Sequence, residues 1–135
     1  THLVMPHPPY YFDSLGHRFP DNMLTLPHDS DKSAYISYLK YTNKILLELT
    51  GYIQSNNSKP AIIILMSDHG FRETDDQNYL KYSQMMNLNA IFFPNKDYSG
   101  FYKGITNVNQ FRVILNSQFG QHLPLLKDST SLLHE

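Results

Sequence analysis

The sequence predicts an α/β fold with a mainly parallel sheet flanked by helices. Residues 61–66 form an apolar run rich in β-branched side chains, bounded by Pro60 and Gly70. Such a run is shorter than a helix needs and is typical of a strand buried on both faces. A second apolar run, at residues 90–93, stops at Pro94. Helical patterns precede and follow these runs, and alternation of strands with helices indicates a parallel sheet.

The amino-terminal third is predicted to contain one strand end and a long loop. Residues 2–5 (HLVM) have the pattern of the end of a strand, which makes three predicted strands in all. The prolines of residues 6–10 exclude a helix, because each fixes its own φ and restricts the residue before it. Residues 11–31 contain turn formers without periodicity, which predicts a surface loop.

Two helices are predicted before the last strand. Apolar residues recur at spacings of three and four between residues 35 and 53, so one face of an amphipathic helix is apolar. Asp31 or Ser33 is suited to cap this helix, and residues 56–58 (NNS) end it. A shorter helix is predicted at about residues 77–86.

A last helix is predicted after residue 106. Asn107 and Gln110 have the spacing of a capping box, and Gly120 is placed to end the helix. We expect Arg112 to pair with a carboxylate. The apolar stripe of this helix consists of Val108, Phe111, Ile114 and Leu115.

Composition excludes several classes of function. The 135 residues suffice for one domain, predicted over residues 1–135, and the net charge of -1 without a basic run argues against nucleic-acid binding. No apolar run approaches the roughly 20 residues that cross a bilayer. There is no cysteine, so a disulfide, a thiolate zinc site and a cysteine nucleophile are excluded within these residues. Three strands make a thin sheet, and we expect the chain to be part of a larger domain.

Asp68 and His69 are the candidate metal ligands. They directly follow the apolar run of residues 61–66, and ligands of open α/β sheets bind beyond the carboxyl ends of the strands. A carboxylate and an imidazole offer one hard oxygen and one borderline nitrogen to a divalent cation, and this pair suits Mn, Zn, Mg or Ca. The competing interpretation is that Asp68 caps the segment that follows and that His69 packs against a tyrosine.

Three segments together resemble a known family. Residues 2–10 (HLVMPHPPY), 67–70 (SDHG) and 107–112 (NVNQFR) are similar, in this order, to the carboxyl-terminal part of the sulfatase family. That family belongs to the alkaline-phosphatase superfamily and includes arylsulfatases and membrane-anchored phosphoglycerol and phosphoethanolamine transferases. The resemblance implies that the chain is a fragment of a larger alkaline-phosphatase-like domain.

The resemblance also implies a mechanism and a role for each matched residue. In this family a nucleophile attacks sulfur or phosphorus, and divalent cations activate the nucleophile and hold the ester oxygens. Asp68 and His69 would be metal ligands, and His7 would contact the substrate or protonate the leaving group. Arg72 matches no motif of the family but is placed to add charge stabilisation. The family's nucleophile and first acidic ligand lie before the segments matched here, so this chain alone is expected to be inactive.

The substrate of the intact parent would be a sulfate or phosphate ester, and the Asp-His pair favours the phosphoryl transferases slightly. Resemblance alone implies a parent anchored in a membrane through an amino-terminal segment, with its catalytic domain outside the cytoplasm. The alternative is a catalytically degenerate module that serves in binding or assembly. The competing interpretation of His7, which lies between prolines, is that it is a rigid-turn residue with no contact to a substrate.

Overall fold

The computed structural model describes residues 1–25, 31–74 and 76–129. The chain divides into two compact units, Thr1–Pro94 and Asn95–Glu135. The described elements are a 3-10 turn at Asp21–Met23, helix α1 (Lys32–Asn56), strand β1 (Ile63–Met66), helix α2 (Gln77–Ser83), strand β2 (Asn89–Phe92) and helix α3 (Asn107–Phe119).

The predicted parallel sheet is wrong. Among the described residues, the sheet consists of β1 and β2 alone, and the two strands are antiparallel. Ile63 pairs with Phe92, and Met66 pairs with Asn89. Residues 2–5 form no strand.

The strands are antiparallel because the chain folds back on itself directly after β1. Ser67 donates its backbone N–H to the Leu88 carbonyl at 3.0 Å, which continues the register of the strands by one residue pair. Gly70 donates its N–H to Gln84 at 2.8 Å. A parallel pair would need a crossover that returns the chain to the start of β1. The apolar run at residues 61–66 predicts a strand but not its direction, which is determined by these hydrogen bonds between residues 14 and 21 positions apart in the chain.

The predicted long helix is confirmed as α1. Asp31 is its amino-terminal cap, since its Oδ1 accepts the backbone N–H and the hydroxyl of Ser33, both at 2.7 Å. The helix has 25 residues and ends at Asn56, as the NNS stretch predicted. Among the described parts of the chain, no helix is long and apolar enough to cross a membrane.

The core of the first unit is aromatic. Tyr10, Ala34 and Tyr38 are buried together, and Tyr35 and Phe12 pack against them. Burial raises the pKa of Tyr38, and the neighbouring tyrosines Tyr11 and Tyr41 raise it further. The inner face of α1 therefore holds the segment that precedes it in the chain.

The predicted surface loop has local order. Phe12 and Arg18 form an isolated antiparallel bridge, and the Asp13 carboxylate between them accepts the backbone N–H groups of Leu15 and His17 at 2.8 and 2.9 Å. These bonds lower the pKa of Asp13, the largest effect being the backbone bond from His17. Residues 26–30 of the predicted loop lie outside the described residues.

The second unit is built on α3. The helix begins after Thr106 rather than with a capping box at Asn107, and the cap residue makes no side-chain capping bond. Gly120 ends it in the left-handed conformation, with φ 62°, as predicted.

The buried face of α3 differs from the predicted stripe. Asn109, Gln110, Val113 and Ile114 are buried, so of the predicted stripe only Ile114 is inside. The reason is that the chain after the helix packs against α3 through polar side chains of the helix. A search for the spacing of apolar residues does not find such a face.

Two asparagines of α3 hold the chain that follows the helix. Asn109 donates to the Leu126 carbonyl at 2.7 Å and accepts its N–H at 2.8 Å, and Asn116 makes the same pair of bonds with Leu123, at 2.9 and 2.8 Å. Seven helical residues span about 10.5 Å, and three extended residues span about 10 Å. This match lets the tail run antiparallel to the helix with both amides paired.

Candidate functional site

The Asp68-His69 pair lies in the turn that leaves β1. The Asp68 side chain is 90% exposed and the His69 side chain 31%. Asp68 accepts the His69 backbone N–H on Oδ1 at 3.0 Å, and its Oδ2 lies 3.7 Å from His69 Nε2. One oxygen is therefore held by the backbone while the other faces the imidazole.

This spacing fits two ligands of one cation. Metal bonds to carboxylate oxygen and to imidazole nitrogen are each about 2.1 Å, so one ion reaches two atoms up to about 4.2 Å apart. The 3.7 Å between Oδ2 and Nε2 is within that limit. The chemistry of the donors also fits, since a carboxylate with an imidazole suits several divalent cations.

A backbone contact orients the His69 ring. Nδ1 lies 2.6 Å from the Gly70 carbonyl oxygen. A carbonyl only accepts, so Nδ1 carries the proton and the lone pair of the neutral ring is on Nε2, the nitrogen that faces Asp68. Histidines that bind metals commonly donate their second ring nitrogen to a carbonyl in this way.

Ser67 and Gly70 hold the turn in place. The Ser67 hydroxyl accepts the Leu88 N–H at 2.7 Å and donates to the His69 carbonyl at 3.1 Å. A Cβ at Gly70 would lie 2.0 Å from the Ser83 carbonyl oxygen and 2.7 Å from that of Met86. The backbone of the turn thus lies directly against the end of α2 and the turn after it.

These positioning residues were not identified from the sequence. Asn87, whose side chain donates to the Ser67 carbonyl at 2.9 Å, belongs with them. The signal for Gly70 was present, because a glycine in a turn often marks a place where the backbone approaches another group closely. Ser67 and Asn87 gave no signal, since their partners are 20 or more residues away in the chain.

The capping role considered for Asp68 falls to another residue. Asp76 caps α2, since its Oδ1 accepts the N–H groups of Asn78 and Tyr79 at 3.0 and 3.2 Å. Among the described residues, the Asp68 carboxylate accepts a backbone hydrogen bond from the next residue alone. Its second oxygen therefore remains available to a ligand.

Aromatic packing brings the His7 segment and the Asp68-His69 turn to the same part of α1. The Tyr35 ring lies 5.9 Å from the Tyr10 ring and 4.6 Å from the Phe71 ring, measured between centroids. Tyr10 is three residues after His7, and Phe71 is two residues after His69. The side chain of His7 is exposed, and its Nδ1 lies 2.5 Å from the Pro8 carbonyl oxygen.

The structure does not assemble all four predicted residues into one cluster. Among the described residues, no group of three or more His, Asp or Glu side chains is placed to hold a metal ion. Arg72 is exposed, and its backbone carbonyl accepts the Thr74 N–H at 3.0 Å. An open cleft of about 380 Å³ lies elsewhere in the unit, between the end of α1, the segment 57–61 that follows it and the end of β2, with Ile53 and Phe92 in its lining.

Comparison of the chain with protein-family models, with curated proteins and with solved structures finds no match. The assignment of a function therefore depends on the site itself and on the sequence resemblance stated above.

Proposed function

We propose that this chain contributes part of the active site of a metal-dependent hydrolase or transferase that acts on sulfate or phosphate esters. Asp68 and His69 supply two ligands to a divalent cation, and the pair suits Mn, Zn, Mg and Ca. His7 contacts the ester or protonates the leaving group, and Arg72 adds positive charge near the ester oxygens. The nucleophile and the remaining ligands come from another part of the parent protein.

The observation that carries this proposal is the orientation of the two ligands. Asp68 Oδ2 and His69 Nε2 face one another at 3.7 Å, and each is the atom that the backbone leaves unused. An ion pair between Asp68 and His69 at the surface would not require the proton of the neutral His69 ring to be on Nδ1, where the Gly70 carbonyl holds it. The similarity of the Ser-Asp-His-Gly turn and of the His-Pro-Pro segment to the sulfatase family supports the same function.

The residues of this chain have distinct tasks in the reaction. A bound divalent cation would activate a nucleophile and polarise the ester oxygens. Asp68 and His69 hold it, and the Gly70 carbonyl keeps His69 oriented. His7 is suited to exchange a proton with the leaving group, because an imidazole has one nitrogen that donates and one that accepts. Arg72 is suited to a sulfate or phosphate group since its guanidinium donates two parallel hydrogen bonds.

The first test is metal binding to the chain itself. Titration with Mn²⁺, followed by electron paramagnetic resonance, is expected to show one weak site. Asp68→Asn and His69→Ala should each weaken it about tenfold or more, whereas His122→Ala, at an exposed histidine of the other unit, should not change it. Equal Mn²⁺ affinity in all four proteins would contradict the proposed ligands.

A second test examines the tautomer without any metal. In the neutral ring, ¹⁵N chemical shifts of His69 are expected to report a proton on Nδ1. His122 is the control, and we expect it to favour the Nε2–H form of free imidazole. A His69 spectrum like that of His122 would contradict the orientation of the His69 ring, with Nε2 facing Asp68, on which the proposal depends.

The reaction is tested in the intact parent protein. Hydrolysis of aryl sulfate and aryl phosphate esters distinguishes the two substrate classes, and His69→Ala should abolish the one that is turned over. The second candidate function, a binding or assembly module without catalysis, is favoured by the presence of only two clustered ligands among the described residues. A metal-loaded parent that hydrolyses neither ester would support that candidate.

A further inference from the structure

The outward face of α3 is apolar, although it lies at the surface. Val108, Phe111, Leu115 and Phe119 are 57%, 44%, 39% and 60% exposed. At about 100° per residue, these four side chains and Arg112 fall within about 100° of the helix circumference. The face formed by these five residues is called the α3 outer face below.

The side chains of the α3 outer face do not belong to the core of this unit. The inner face of the helix contains Asn109, which is fully buried and paired with the tail, together with Val113 and Ile114. Two amide side chains, Asn109 and Gln110, are thus buried beside Val113 and Ile114, while four larger apolar side chains stay at the surface. Contiguous exposed apolar surface of this kind commonly marks an interaction site.

Arg112 is the second, independent observation. Its Nε is shut off from solvent and has no hydrogen-bond partner, and among the described residues no ion pair joins Arg112 to a carboxylate. The carboxylate partner predicted from the sequence is therefore absent there. Guanidinium is always charged, and a buried N–H of a charged group is normally paired. Nε together with one Nη forms the side of the guanidinium that binds a carboxylate through two parallel bonds.

We propose that the α3 outer face is a docking surface for an amphipathic polypeptide segment of another protein, which covers the apolar side chains and brings a carboxylate to Arg112. Arg112 is partly exposed, so its side chain borders the α3 outer face. A carboxylate brought there by the partner would pair with a guanidinium that has no carboxylate partner among the described residues. The surface belongs to the unit of residues 95–135 and does not depend on the metal site.

Charge favours this occupant over a second copy of the chain and over a lipid surface. Residues 107–119 contain no Asp or Glu, so two copies that met through this face would bring Arg112 against Arg112. An anionic lipid surface is recognised by clusters of Lys and Arg, whereas Arg112 is the only cation of the helix. A segment with apolar residues and one acid complements both features of the face.

The test uses the full chain and a designed helical peptide of about 14 residues, the length of α3. The peptide has a leucine stripe interrupted by one glutamate, and its control has glutamine there. Fluorescence anisotropy should show that Arg112→Gln weakens binding of the glutamate peptide about tenfold, as the loss of a charge-assisted bidentate pair implies. Binding of the glutamine peptide should not respond to this substitution. Lys103→Gln, at an exposed cation of the same unit, is the matched control and should leave both affinities unchanged.

Phe111→Ser tests the apolar part and should weaken both peptides. If that variant fails to fold, Arg112→Lys still tests the proposal, because lysine keeps the charge but cannot form the paired bonds. The proposal is overturned if neither peptide binds, or if both bind equally to the unaltered chain. It is also overturned if Arg112-independent self-association, seen by analytical ultracentrifugation, covers the face, or if the chain binds phosphatidylserine vesicles in place of the peptides.

Discussion

The Tyr35 ring on α1 packs against the Phe71 ring, with their centroids 4.6 Å apart. Phe71 follows the Asp68-His69-Gly70 turn directly, so this contact ties the candidate metal ligands to the longest helix of the chain. Tyr35 also contacts Tyr10, which follows the His-Pro-Pro segment. One aromatic side chain therefore fixes both segments that the sequence marked as functional.

Truncation of Phe71 is expected to destabilise the first unit. The side chain is buried, so Phe71→Ala should lower the free energy of unfolding by about 3 kcal/mol, through lost apolar burial and the cavity left behind. Urea denaturation measures this, and Tyr52→Ala on the exposed face of α1 should change it by only about 0.5 kcal/mol. Equal effects of the two substitutions would show that the ring contact does not anchor the turn.

Two glycine substitutions should have opposite effects. Gly70→Ala places a Cβ 2.0 Å from the Ser83 carbonyl, and since both groups are backbone the strain should cost about 2 kcal/mol or more. Gly51→Ala, inside α1 with nothing within 4 Å of the new Cβ, should stabilise by about 1 kcal/mol. Thermal unfolding of both variants provides the comparison. Stabilisation by Gly70→Ala would mean that the turn does not lie against the end of α2.

Asp128 should make the second unit sensitive to acid. Its carboxylate accepts the Tyr102 hydroxyl at 2.6 Å and the Thr106 N–H at 2.8 Å. The bond from Tyr102 is the largest cause that lowers the pKa of Asp128 from 3.8 to about 2, followed by the bonds from Thr106.

The sign of this pH dependence follows from the direction of the shift. Because the folded-state pKa is the lower one, the contribution of Asp128 to stability is complete above about pH 4 and is lost as the pH falls through about 2. Carboxyl-carbon NMR titration should give the depressed pKa directly, and the Thr106 amide shift should titrate with it. Tyr102→Phe should move the pKa of Asp128 upwards, and an unchanged value would contradict the assigned cause.

Asn109 should be essential to the packing of the tail. Asn109→Ala leaves the N–H and the carbonyl of Leu126 without their partner, at a cost of about 2 kcal/mol. Hydrogen exchange at the Leu126 amide should accelerate, while the Leu123 amide, held by Asn116, should lose less protection. Asn107→Ala, at an exposed position of the same helix, is the control and should leave both amides protected.

The sequence alone determined the local structure of this protein. Capping by Asp31, the periodicity of α1, the glycine that ends α3 and the two apolar runs each depend on neighbours within a few residues, and each of these is present. The strand end at residues 2–5 and the capping box at Asn107, predicted in the same way, are not. The position of Asp68 and His69 directly after a strand was equally readable, because it depends only on their place in the chain.

Tertiary structure decided what connects residues far apart in the chain. Strand direction depends on hydrogen bonds such as those of Ser67 with Leu88, and the inner face of α3 depends on the amide pairs of Asn109 and Asn116 with the tail. The pattern of apolar residues predicts neither feature. A run of isoleucines is compatible with a parallel and with an antiparallel strand, and an asparagine is normally expected at the surface even where it is buried. The unpaired Arg112 Nε belongs to the same class, whereas the His69 ring is oriented by the carbonyl of the next residue. What surrounds Arg112 depends on which atoms meet in the folded chain, and that is decided only when distant segments pack.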